Sequence, residues 1–154
     1  MIDNFYSDVF CILKQEEKYN ALREIISSCS IFSKVPEDLE KYISSVLERE
    51  KKQSTDIGHG VAIAHGKVPN LGKTIIALGL SEKGIEFKDN SEPVHLIFVI
   101  ASPLADDMDY LKSVSALLSW VHDSNFRNEL ENCAFSESVK SFFSMLSSQE
   151  FKAL

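Results

Sequence analysis

The sequence predicts an α/β domain with helices covering both faces of a sheet, and three observations carry that prediction. Val9 to Leu13 (V-F-C-I-L) reads as a strand feeding a segment of helical spacing, the opening of an α/β unit. Thr74 to Leu80 and Val94 to Ala101 are continuous apolar runs rather than alternating ones, as expected of central strands buried on both faces. The composition, 44% hydrophobic and 25% charged in 154 residues, is that of a globular protein. This length corresponds to one domain, 1–154, large enough to bury roughly 70% of its unfolded surface.

The elements follow in order. Glu16 to Ser28 has helical spacing, with Tyr19, Leu22, Ile25 and Ile26 on one side. Pro36 stands where a first-turn proline is tolerated, and Leu39, Tyr42, Ile43, Val46 and Leu47 continue at helical intervals to about Glu50. This second helix delivers Arg49 to the start of the stretch Thr55 to Lys67, T-D-I-G-H-G-V-A-I-A-H-G-K. Val61 to Ala64 is short and rich in β-branched residues, so it is expected to be a buried strand or extended turn that ends at His65. Gly58, Gly60 and Gly66 give backbone freedom at its two ends, and G-K-V-P-N-L-G-K is loop by composition.

Past the two apolar runs, Pro103 closes the second, and Asp106, Asp107 and Asp109 begin a helix reaching about His122. Acidic groups at a helix start are favoured by capping and by the helix dipole; no octahedral oxygen-ligand motif is present, so capping is expected rather than a metal. Leu111, Val114, Ala116, Leu117, Leu118 and Val121 are expected to form the buried stripe, with Trp120 at its edge. Two shorter helices, about Ser124 to Asn132 and Ser136 to Ser147, finish the chain, the latter carrying Val139, Phe142, Phe143 and Leu146. Phe5, Phe135 and Phe151 are expected to be exposed and hint weakly at self-association.

A net charge of −7 argues against a nucleic-acid surface, which needs clustered Lys and Arg. The basic group Arg49, Lys51 and Lys52 is balanced by Glu48 and Glu50. No segment is long and apolar enough to insert into a membrane, and the N-terminal residues lack the pattern of a secretion signal. Cys11, Cys29 and Cys133 share no zinc or redox spacing and are expected to be buried thiols in a reducing cytoplasm, where the protein is expected to reside.

His65 could serve as metal ligand, general base or nucleophile. Metal binding lacks partners, since His59 and His65 are six residues apart with no cysteine nearby and no carboxylate triad. Serine hydrolase chemistry lacks its G-x-S-x-G elbow. A nucleophilic imidazole fits better, because a half-neutral ring can attack a phosphoryl group directly. Its phosphoryl oxygens would need donors, which the glycine amides and Arg49 could supply. His95, alone at the mouth of an apolar strand, is expected to be structural.

The residues Leu47 to Lys67, L-E-R-E-K-K-Q-S-T-D-I-G-H-G-V-A-I-A-H-G-K, together with I-E-F-K-D-N-S-E-P-V-H-L-I-F-V-I-A at Ile85 to Ala101, resemble the enzyme IIA proteins of the phosphoenolpyruvate-dependent sugar phosphotransferase system, in the fructose/mannitol type that includes the nitrogen-regulatory proteins. The resemblance runs from Val9 to about Leu146. It implies a mixed sheet of about five strands between helices, phosphorylation of His65 at Nε2 and steadying of the phosphoryl group by Arg49. It implies the histidine-containing carrier protein as donor and, in sugar transporters, an enzyme IIB cysteine as recipient. No metal or organic cofactor is implied.

Two departures stand out. The family usually has proline before the active histidine, where this chain has Ala64, and losing proline loosens the backbone there. A second histidine often faces the first from the following helix; the matching position here is Tyr110, a phenol that cannot carry positive charge. Thr55, Gly58, His59 and Gly60 are expected to contact phosphate or partner. With no attached carrier, enzyme IIB or membrane region, the expected role is regulatory, of the nitrogen type. The alternatives are fructose- or mannitol-type uptake, with a separate enzyme IIB, and a non-catalytic module that binds a regulated protein.

Overall fold

The computed structural model describes residues 6–154. Its elements run β1 (Phe10–Ile12), α1 (Lys18–Ser28), a 3-10 turn (Ser30–Lys34), α2 (Leu39–Lys52), β2 (Asp56–Gly58), β3 (Val61–Val68), β4 (Ile75–Ile85), β5 (Val94–Pro103), α3 (Asp107–Val121), α4 (Ser124–Glu131) and α5 (Glu137–Ser148). The strands form one mixed sheet in the order β1-β4-β5-β3-β2. β1 is parallel to β4 and β3 to β5, whereas β4 and β5 are antiparallel to each other, as are β2 and β3. The five-stranded mixed sheet expected from the family resemblance is therefore present, with the two apolar runs as inner neighbours.

The two faces of the sheet are built differently, and the sequence shows why. Register places Ala62, Ala64 and Gly66 of β3 beside Ile97, Val99 and Ala101 of β5, and Ala77 and Gly79 of β4 beside Val99 and Ile97. These small residues share one face, which lets α1 and α2 approach the backbone closely. A Cβ on Gly79 would lie 2.5 Å from Ile25 Cγ1, and one on Gly66 would lie 2.8 Å from Ser45 Oγ and 2.9 Å from Tyr42 Cε1. The Tyr42 hydroxyl, fully buried, donates to the Ile100 carbonyl at 2.6 Å and so satisfies its polar tip. The opposite face carries larger side chains, and Phe98 meets Phe142 of α5 edge-on at 6.1 Å between ring centroids. Trp120 and Phe126 pack on Phe142 in the same layer.

Helix ends follow the expected capping chemistry. Glu17 accepts from the Tyr19 and Asn20 amides, Asp38 from Glu40, Asp106 from Asp109, Asp123 from Asn125, and Ser136 from Val139. The acidic start of α3 is thus a cap, as its position predicted, and no group of three or more metal-ligating side chains occurs among the described residues.

Several expectations change. Pro36 lies two residues before the Asp38 cap rather than in the first helical turn. β3 does not end at His65 but continues through Gly66 and Lys67 to Val68, because β5 supplies a partner at each of these positions. On α3, Leu111 and Leu118 are exposed, whereas Trp120 is buried with Ser113, Ala116, Leu117 and Val121, so the stripe is rotated toward the aromatic layer. Cys29 is buried, but Cys11 and Cys133 are only half-buried. Phe135 and Phe151 are half-buried against the core, and Phe5 lies outside the described residues.

Candidate active site

His65 projects from β3 on the larger-residue face, and its position depends on strand register. It pairs with Ile100 of the parallel neighbour, so Ser102, two residues farther along β5, lies on the same face. His65 Nε2 is 2.7 Å from Ser102 Oγ, and Ser102 is fully buried. The Tyr110 ring from the first turn of α3 stacks on the imidazole with centroids 4.2 Å apart and planes 16° from parallel. His65 itself is 9% exposed, so the ring is held on both flanks while part of it reaches solvent.

Electrostatics follow from this placement. Burial is the largest cause that lowers the His65 pKa, followed by the positive charges of Arg49 and Lys67, and together they bring it from 6.5 to about 4. At neutral pH the ring is therefore uncharged, and its unprotonated nitrogen carries a lone pair in the field of two cations. Such an arrangement disfavours a proton and favours an incoming anionic group. Lys67 is paired with Asp107 at 3.0 Å on the surface. Arg49, in the last turn of α2, lines an open cleft with Ile63, Thr55 and Asp56. On the edge of β3 away from β5, pairing with the β2 segment reaches Ile63, whose amide donates to the Thr55 carbonyl at 3.0 Å, and His65 lies beyond it.

Leu104, Met108 and Leu111, which flank Tyr110 in sequence, are 54%, 72% and 56% exposed. Exposed apolar side chains grouped in this way are the composition of a protein-docking surface.

The other anticipated residues lie elsewhere or are otherwise engaged. Gly58, His59 and Gly60 form the β2–β3 turn with φ of +91°, +57° and +75°, at the opposite end of β3 from His65. Five residues of extended chain from Gly60 to His65 span about 16 Å, so these amides cannot cradle a phosphoryl group on that histidine. Gly60 instead accepts hydrogen bonds from the amides of His95 and Leu96 at 2.8 and 3.1 Å, anchoring the turn to β5. His59 is exposed beside His122 and Arg127 in a separate hollow. His95 is structural as anticipated, its Nδ1 lying 2.8 Å from the Ser81 carbonyl. Thr55 donates both its hydroxyl and its amide to Glu50, leaving it no proton for an anion.

Two residues were missed. Glu50 is 2% exposed and pairs with Lys18 at 3.2 Å, and Lys18 also donates to the Phe87 carbonyl at 2.7 Å. Its position four residues after Val46 on the buried stripe was a legible signal. Ser102 had only the weaker signal of period two from Phe98 and Ile100, and strand register alone brings it to His65.

Residues 6–145 match the family described as "Phosphoenolpyruvate-dependent sugar phosphotransferase system, EIIA 2". The chain is 27% identical to a nitrogen regulatory protein of Bradyrhizobium diazoefficiens over 134 residues, covering 86% of each. It is 29% identical over 119 residues to the fructose-specific EIIABC component of Bacillus subtilis, a match spanning 77% of this chain but 19% of that longer protein. Among solved structures, the nitrogen regulatory protein IIA-Ntr of Neisseria meningitidis aligns with a TM-score of 0.75 at 22% identity, covering 90% of this chain and 94% of that one. The mannitol enzyme IIA of Escherichia coli, solved in complex with phosphorylated mannitol enzyme IIB, aligns with a TM-score of 0.69 at 19% identity over 90% and 94% of the two chains. These two structures share its fold. The family match extends over nearly all of the sequence, and the chain belongs to the EIIA type 2 family of the phosphoenolpyruvate-dependent sugar phosphotransferase system.

Proposed function

We propose that this chain is a phosphoryl carrier that accepts phosphate on Nε2 of His65 from the histidine-containing carrier protein and acts in a regulatory branch of the nitrogen type. The observation that supports this most is the His65 ring itself, neutral at physiological pH, stacked on Tyr110 and set beside the cations Arg49 and Lys67. In the transfer, the P–N bond to the donor's imidazole breaks as a P–N bond to Nε2 forms. The proton on His65 Nδ1 stays until the phosphorylated ring releases it to water.

Arg49 is the guanidinium suited to grip the phosphoryl oxygens, with Lys67 adding to the positive field. Tyr110 holds the ring plane but supplies no charge, so the phosphorylated state relies on Arg49 more heavily than it would with a second histidine. The apolar rim of Leu104, Met108 and Leu111 is the surface on which donor and recipient proteins would dock in turn, including an enzyme IIB of the kind seen with the mannitol homologue. The regulatory branch is favoured because the similarity to a nitrogen regulatory protein covers most of both chains.

Incubation with phosphoenolpyruvate, enzyme I and the carrier protein should add the mass of one phosphate to the wild type and none to His65→Ala. A folded wild type left unlabelled by active donors would sink this reading in favour of an interaction module. Rapid passage of the label to an enzyme IIB cysteine would instead move the protein to the sugar-uptake branch.

A further inference from the structure

Ser102 has no counterpart in the reading above, although it touches the reacting nitrogen. Its side chain is fully buried, and its single hydrogen-bond partner among the described residues is His65 Nε2, at 2.7 Å. A buried hydroxyl rarely leaves its proton unpaired, because the desolvation cost is not recovered. If Nε2 carried the ring proton it would donate to Ser102, and the serine proton would have no acceptor. If Nδ1 carries the ring proton, Ser102 donates to the Nε2 lone pair and the buried serine hydroxyl is satisfied. The second arrangement is therefore the resting one.

We propose that Ser102 is a catalytic residue that selects the Nδ1–H tautomer of His65, keeps the nucleophilic lone pair on Nε2, and passes its hydrogen bond to a phosphoryl oxygen once Nε2 is loaded. The second half of this role rests on the phosphocarrier reading. It follows from space: a phosphorus atom bonded to Nε2 would occupy the line on which Ser102 Oγ now sits, so the serine must rotate away from the nitrogen. The nearest acceptors are then the phosphoryl oxygens. Ser102 so supplies a short-range neutral donor at a site where Tyr110 provides stacking rather than charge. His65 is fixed by Tyr110 on its face and by β3 at its root, so the serine can turn without the ring following.

The test compares wild type, Ser102→Ala and Ser102→Thr. Nitrogen-15 NMR of the unphosphorylated proteins at neutral pH should show one Nδ1–H tautomer for His65 in wild type and Ser102→Thr, and a tautomer mixture in Ser102→Ala. After loading through phosphoenolpyruvate, enzyme I and the carrier protein, the phosphohistidine in Ser102→Ala should hydrolyse about tenfold faster, the loss expected for one hydrogen bond to a charged group, with Ser102→Thr restoring most of the lifetime. An Nε2–H tautomer in wild type, or unchanged tautomer and lifetime in folded Ser102→Ala, would overturn the proposal. If wild type takes no phosphate at all, the phosphocarrier reading fails separately, and the nitrogen-15 result still decides whether Ser102 sets the tautomer.

Discussion

Strand β3 has a histidine beside glycine at two places, the turn that enters it and the half toward its exit end, yet the two do different things. At the first end, Gly58, His59 and Gly60 all take positive φ, and their work is to reverse the chain between β2 and β3 and bond to β5. Toward the exit end, His65 and Gly66 are in regular strand geometry with partners Ile100 and Ala101, and the strand runs on to Val68. There the glycine is needed for closeness rather than for turning: α2 packs on the backbone, with Ser45 and Tyr42 where a Cβ would go. The same residue type thus serves conformational freedom at one end and packing at the other. Only the packed end brings an imidazole into contact with a buried hydroxyl and an aromatic face, in the field of two cations. The lesson is that what a glycine-flanked histidine can do depends on what the sheet and helices place around it.

Substitutions can break or sharpen this contrast. The largest effect is expected from Glu50→Gln, which leaves Lys18 without its charged partner and loosens Thr55 on the segment leading to β2. Breaking a buried pair in this way costs about 3 kcal/mol, read as a lower urea midpoint with unchanged slope. A loss below about 1 kcal/mol would show that the pair is not an anchor of the packed end.

Gly66→Ala should cost about 2 kcal/mol by overpacking against α2 and should slow phosphate uptake, since the strand beneath His65 must shift. Gly58→Ala meets open space and suffers only its φ of +91°, about 1 kcal/mol, with phosphate uptake within about twofold of wild type. Equal loss of uptake in both proteins would restore the glycine turn as part of the site.

The smallest effect is on pH dependence. Because the folded pKa of His65 lies below its unfolded value, the unfolded chain binds more protons between them, and stability falls as pH drops from 6.5 toward about 4. His65→Gln should flatten that part of the stability profile. An NMR titration placing the His65 midpoint near 6.5 would contradict the buried, cation-flanked ring described for this end.

Much of this was legible in the chain itself. Continuous apolar runs identified β4 and β5 as inner strands, helical spacing located α1, α2 and α5, and acidic residues after Pro103 marked the cap of α3. The motif around His65 pointed to the family, and Tyr110 was anticipated opposite it, where the stacked rings now lie. The exposed faces of α3 were misassigned because Leu111 and Trp120 are both apolar, and helical periodicity cannot choose between adjacent stripes without the neighbouring aromatic layer.

By itself the sequence determined what is local or periodic: the element types, the caps, the apolar strands and the motif that marks the family. Tertiary structure alone decided which distant residues share its space. The glycine turn was assigned to the histidine because it is near in sequence, but extended chain carries it away at about 3.3 Å per residue. Ser102, thirty-seven residues away, arrives because two parallel strands are hydrogen-bonded in one register, and a shift of one residue would turn it to the other face.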